Sequence, residues 1–151
     1  MRQKKAKALV DKGKPIRQIA ALPYRRGESG ELQVLLVTSR ETRRFIIPKG
    51  WPMRGLEDWQ AAEIEAKEEA GVVGEADREP IGSYRYWKRM KSAFVPIRVD
   101  VYALDVVGDL PRWKEAKQRR RGWVDWQQAK ALVDEPQLIS LIDKFAGQAP
   151  D

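Results

Sequence analysis

The stretch PKGWPMRGLEDWQAAEIEAKEEAGV, residues 48–72, sets Glu65, Glu68 and Glu69 within one and a half turns of what reads as a helix. Side chains three and four apart on an α-helix are neighbours, with Cβ atoms about 5–6 Å apart, so these charges share one side. Like charges that close repel one another, and a hard cation bound through oxygen, such as Mg2+ or Mn2+, relieves them and brings phosphates with it. Ala61, Ala62 and Ala66 are small enough to let neighbouring backbone approach. Asp58 is placed to cap the helix N-terminus, and Gly71 to end it in a left-handed conformation. EIEAKEEAG alone would also suit a solvated helix. The residues before it narrow the choice: FIIP reads as a short buried strand and KGWPMRG as a loop with two glycines.

The chain's omissions bound its chemistry further. None of its 151 residues is Cys or His. Disulfides, thiolate zinc sites, thiol nucleophiles, Ser-His-Asp triads and imidazole ligands are thereby excluded. A catalyst of this composition must use carboxylates, Lys, Tyr or a metal. The net charge of +7 favours an anionic partner. A phosphorylated small molecule and nucleic acid both qualify, and composition does not choose between them. No apolar run nears the ~20 residues of a membrane span, and the basic start lacks the apolar segment of a signal peptide, so a cytoplasmic protein is expected.

Residues 1–14 read as a basic arm, 15–147 as one domain and 148–151 as a tail. Strands are expected at Ile16–Tyr24, with Pro23 arguing for an edge or bulge, and at Glu31–Ser39, apolar enough to be buried on both faces. Pro80–Met90 and Ser92–Val106 predict a hairpin turning near Lys88–Ser92, the second strand setting Val95, Ile97, Val99 and Val101 against Phe94, Arg98, Asp100 and Tyr102. A basic loop over Asp109–Arg121 leads to a short strand, Gly122–Asp125. Helices follow at Trp126–Val133 and Pro136–Phe145, the second with Leu138, Leu141, Ile142 and Phe145 on one face. Strands between helices imply an α/β/α arrangement with a mixed sheet.

The order Gly50, Glu65, Glu68, Glu69, Gly71 resembles the Nudix box: glycine, five residues, Glu, seven residues, Arg-Glu, an aliphatic residue, any residue, Glu-Glu, any residue, Gly. With LLVTSR, PKGW and RRRGWV around it, residues 16–145 are similar to the diphosphoinositol polyphosphate phosphohydrolase branch of that superfamily and its bacterial relatives. Two positions depart from the box: Leu56 stands where it has Glu, with Glu57 one place late, and Ile64 stands where it has Arg. In the family that Arg braces the catalytic carboxylates, and Ile64 cannot donate a hydrogen bond.

The resemblance implies a Nudix-type α/β/α sandwich and a metal-dependent hydrolase of phosphoanhydride bonds. It favours diphosphoinositol polyphosphates or dinucleoside polyphosphates as substrates. Carried over position by position, it makes Glu65, Glu69, Glu68 and the Gly50 carbonyl ligands of Mg2+ or Mn2+, with Glu68 the base that activates water. It sets Arg17, Arg40, Lys49, Arg89 and Arg119 at or near the substrate phosphates. Trp51, next to Gly50, would border the substrate, and Glu115 is a lesser candidate ligand. The competing reading is a binding protein with a weakened box that holds a polyanion without cleaving it.

Overall fold

A computed structural model describes residues 16–150, and the basic arm expected over residues 1–14 lies outside them. Eight strands form the sheet: β1 (Ile16–Arg26), β2 (Leu32–Thr38), β3 (Phe45–Ile46), β4 (Lys49–Gly50), β5 (Val72–Ala76), β6 (Gly82–Met90), β7 (Ala93–Asp109) and β8 (Arg121–Asp125). The helices are α1 (Asp58–Glu65), which continues as a π-helical turn over Ala66–Ala70, α2 (Trp126–Leu132) and α3 (Pro136–Gln148). β1 and β7 run parallel and the other pairings are antiparallel, so the sheet is mixed as expected.

Strand alternation sorts the core into two layers. Ile16, Ala20, Leu22 and Tyr24 of β1 face the same way as Val95, Ile97, Val99 and Val101 of β7, and pack on Leu138, Leu141, Ile142 and Phe145 of α3. Ile19 and Ala21, with Leu35, Val37, Tyr102 and Leu104, face the opposite way and meet Ala61, Ala62, Ala66 and Ala70. An alanine face brings the helix backbone close to the sheet, which fixes the height of the glutamates above it. β2 is buried on both faces, Leu32, Val34 and Leu36 in one layer and Leu35 and Val37 in the other.

Three local expectations need correction. Pro23 lies inside a central strand, not at an edge or bulge. The amide of Ala21 donates to Pro48 O, which ends the β4 side of the pairing, and pairing with β2 starts only at Tyr24. The missing N–H at position 23 falls in the gap between these two pairings. The N-cap of α1 is Glu57, not Asp58: the Glu57 amide donates to Gln60 Oε1 at 2.9 Å, and Asp58 is the first helical residue. Phe45 is exposed, so the short strand before the glycine loop buries only Ile46 and, beyond its end, Ile47.

Candidate active site

The three glutamates sit where α1 gives way to its π-helical turn, which carries Glu68 and Glu69, with Glu65 as its N-cap. A single π turn within an α-helix is uncommon and widens the local spacing of side chains. Gly71 closes it with φ 66°, the left-handed cap the sequence predicts. The helix is pinned at three points. Arg17 Nη1 pairs with Asp58 at 2.7 Å and Asp100 at 3.3 Å. Glu63 Oε2 accepts the Ala76 amide at 2.9 Å. At the C-terminal end, the carbonyls of Glu68, Glu69, Ala70 and Gly71 accept from the Glu115 amide, Trp113 Nε1–H and Arg121 Nη1–H, the last serving both Ala70 and Gly71. These are carbonyls a helix end leaves without internal partners.

Glu65 and Glu69 are in hydrogen-bond contact, and Glu69 is only 5% exposed. Burial pushes the Glu69 carboxyl up to about 8; its contact with Glu65 adds to the rise, and the Arg119 charge opposes it. Glu65 is raised too, chiefly by burial, with the charges of Glu68 and Glu115 adding to it. Two touching carboxylates need a proton or a cation between them. Glu69 Oε1 accepts the Lys49 amide at 3.3 Å, which ties the helix to β4. Directly above, a Cβ at Gly50 would overlap the Glu65 carboxylate, so only glycine admits that side chain against the loop.

Glu68 is half-buried, with Lys114 Nζ 3.6 Å from its carboxylate. Among the described residues no three acidic groups already form a closed cation cage. The donors nevertheless suit a hard cation, all being oxygens and crowded together. Glu65, Glu68, Glu69 and the Gly50 carbonyl are the groups that would hold it.

The basic residues separate by place. Lys49 is beside the carboxylates, its ammonium lowered to about 8 by burial against the pull of Glu69, with Nζ 5.2 Å from the Tyr86 ring centre. Arg119 is buried there as well, Nη2 3.7 Å from Glu69 and Nε 2.8 Å from Glu115. Arg40 lies in the exposed turn after β2 and donates to Gln118. Arg17 is engaged by its two aspartates, and Arg89 is exposed near the β6–β7 turn, opposite Phe94.

Trp51 is half-buried against the α3-side core, whereas Trp87 is 68% exposed. Sequence reasoning missed the clamp made by Trp113 and Arg121 and the bond from Tyr86 Oη–H to Gln18 Oε1. A signal for the first lay in RRRGW: alternation at a strand's start turns Arg119 and Arg121 inward and Arg120 outward.

Fold and site together define an α/β/α sandwich in which an acidic helix is seated beneath a glycine loop. Residues 15–145 match the NUDIX domain, and the chain belongs to the Nudix family. Nudix hydrolase 12, mitochondrial, of Arabidopsis thaliana is 35% identical over 125 residues, covering 76% of this chain and 59% of that protein. Nudix hydrolase 4 of the same plant is 34% identical over 120 residues, covering 78% and 56%. The chain thus spans less than two-thirds of the length of these relatives. Among solved structures, a C. elegans Ap4A hydrolase binary complex superposes with a TM-score of 0.65 at 22% identity, covering 88% of this chain and 96% of that one. A NUDIX hydrolase from Nitrosomonas europaea gives 0.64 at 20% identity, covering 89% and 90%. At such identities the likeness is one of fold. Among the described residues no helix is long and apolar enough to cross a membrane.

Proposed function

We propose that this chain is a pyrophosphohydrolase that cleaves a phosphoanhydride bond with a divalent cation. The observation that carries this reading is the buried contact of Glu65 with Glu69 beneath the side-chain-free Gly50. Mg2+ or Mn2+, when bound, neutralises and orients the diphosphate. Glu68, half-buried where Glu69 is buried, has the access to take a proton from water. As the water oxygen bonds to phosphorus, the bond to the bridging oxygen breaks, and the departing phosphate keeps that electron pair. Lys49, and Arg40 from its turn, supply positive charge to the phosphates. Dinucleoside polyphosphates and diphosphoinositol polyphosphates are the favoured substrates. The first is supported by the Ap4A hydrolase fold neighbours and the second by the family resemblance of the sequence. A cytoplasmic place of action belongs to the same proposal.

A second reading, a polyanion-binding protein with little turnover, draws on Leu56 and Ile64 in place of the box Glu and Arg. Phosphate or nucleotide release from a panel of diadenosine polyphosphates, diphosphoinositol polyphosphates, nucleoside triphosphates and nucleotide sugars separates the two. Turnover that requires Mg2+ or Mn2+, stops with chelator and falls by about 100-fold or more in Glu68→Gln supports the hydrolase. Bound Mn2+ with no turnover of any substrate selects the binding protein.

A further inference from the structure

We infer that Arg119 is a positioning residue that holds the Glu69 carboxylate, supplying from outside the helix the guanidinium that Ile64 cannot provide. The inference rests on the hydrolase reading for its meaning in catalysis and on geometry for its detail. Each of the three guanidinium nitrogens already faces a protein acceptor: Nε the Glu115 carboxylate at 2.8 Å, Nη1 the Thr38 carbonyl at 3.1 Å and Nη2 Glu69 Oε1 at 3.7 Å. The side chain is 8% exposed. A phosphate-gripping arginine needs an open N–H edge toward solvent, and this one is enclosed, with Nε and Nη1 hydrogen-bonded to the protein and Nη2 turned toward Glu69. Sequence resemblance placed it near the phosphates, and the structure turns it to the carboxylates.

Its surroundings fix it from three sides. The neighbouring backbone is locked to the end of β2, with the Thr38 amide donating to Arg120 O and the Arg120 amide to Thr38 Oγ1, both at 3.0 Å. Glu115, its strongest partner, donates its own amide to Glu68 O at 3.0 Å, so the loop that carries Arg119 is fastened to the helix it braces. The reach to Glu69 is an ion pair longer than a hydrogen bond. Arg119 therefore directs the carboxylate without hydrogen-bonding to its oxygens. Removing a partner from a buried charge group leaves the others uncompensated, so the Glu69 and Glu115 side chains should both lose their fixed orientation when Arg119 is lost.

Arg119→Gln, Arg119→Lys, Glu115→Gln and the double variant Glu115→Gln/Arg119→Gln test this with diadenosine tetraphosphate as substrate, alongside the EPR spectrum of bound Mn2+. In Arg119→Gln, kcat should fall about 10- to 100-fold with KM within about threefold of the original, and the Mn2+ spectrum should change. Arg119→Lys keeps the charge and loses the fork, so it should fall between. Glu115→Gln should lower kcat alone and add little once Arg119 is gone, because both act along one chain of contacts. A raised KM with unchanged kcat would make Arg119 a substrate contact and overturn the inference. A lowered melting temperature with kcat and the Mn2+ spectrum unchanged would overturn it as well. Should Arg119→Gln fail to fold, Arg119→Lys and Glu115→Gln carry the same expectations. Should the parent protein turn over no substrate, the hydrolase proposal fails separately, and an unaltered Mn2+ spectrum in Arg119→Gln would still overturn the role given to Arg119.

Discussion

At position 50 a single hydrogen atom decides where Glu65 can go. The Glu65 carboxylate occupies the space a Cβ would fill, so Gly50→Ala must drive it out of the loop. The displaced group is the free end of a flexible side chain, and the fold can yield at a cost of about 1–3 kcal/mol. The site has less latitude. Mn2+ affinity should weaken about 10- to 100-fold, a change read by titrating free Mn2+ with EPR. Unchanged affinity would mean that Glu65 leaves the loop when a cation binds. The identities of Gly50, Glu65 and Gly71 were legible as a spacing, since each is set by local backbone. The Arg119 contact was not, because it depends on where a loop some fifty residues later comes to rest. Asp58 shows the same limit at short range. An acidic residue beside a helix start reads equally well as cap or first turn, and what decides it is Arg17, far off in sequence, drawing Asp58 into an ion pair.

Among the elements, the junction of α1 with the loop before β8 bears most of the site's geometry. Arg121 donates to Ala70 O and Gly71 O at 3.0 Å and to Leu110 O at 2.8 Å, and its guanidinium lies 3.9 Å from the Trp113 ring centre. Arg121→Gln removes most of these donors and leaves partly buried carbonyls without partners, a loss of about 2–4 kcal/mol. Urea unfolding should show a lower midpoint at unchanged m. A change under about 0.5 kcal/mol would mean that water replaces the clamp without cost. Activity should suffer too, because the π-helical turn holding Glu68 and Glu69 is what the clamp restrains. The strand Ala93–Asp109 was legible by its alternation and the helix Pro136–Gln148 by its apolar spacing, both properties of the chain's own residues. Pro23 was misread because its acceptability depends on what β1 lacks beside it, a gap between β2 and β4 that only the assembled sheet reveals.

For the molecule as a whole, the carboxylate pair links stability to pH and, on the proposed function, to metal. Glu69 carries its proton up to about pH 8 in the folded state, against 4.5 as the ordinary value for the group. A group raised in this way stabilises the fold fully below its unfolded pKa, and that contribution is lost as pH rises through the folded value. Metal-free protein should therefore lose stability between about pH 4.5 and 8 through this group, by an amount on the order of 1–4 kcal/mol. Glu65 is shifted in the same direction. Lys49 does not cancel the loss, because with its pKa lowered to about 8 it is protonated in both states through most of that window. Glu69→Gln removes the titration, so the metal-free variant should be the more stable protein at pH 7.5, with a flatter stability curve between pH 5 and 8. On the proposed function, Mg2+ would take the place of the proton only where Glu69 is a carboxylate. Saturating Mg2+ should therefore raise the melting temperature of the parent protein well above that of its metal-free form and leave Glu69→Gln nearly unmoved; at 100 times the Kd the linkage is about 2.7 kcal/mol. Parallel pH curves for the two metal-free proteins would show that Glu69 ionises without penalty, and that crowding of these carboxylates is not what calls for a cation.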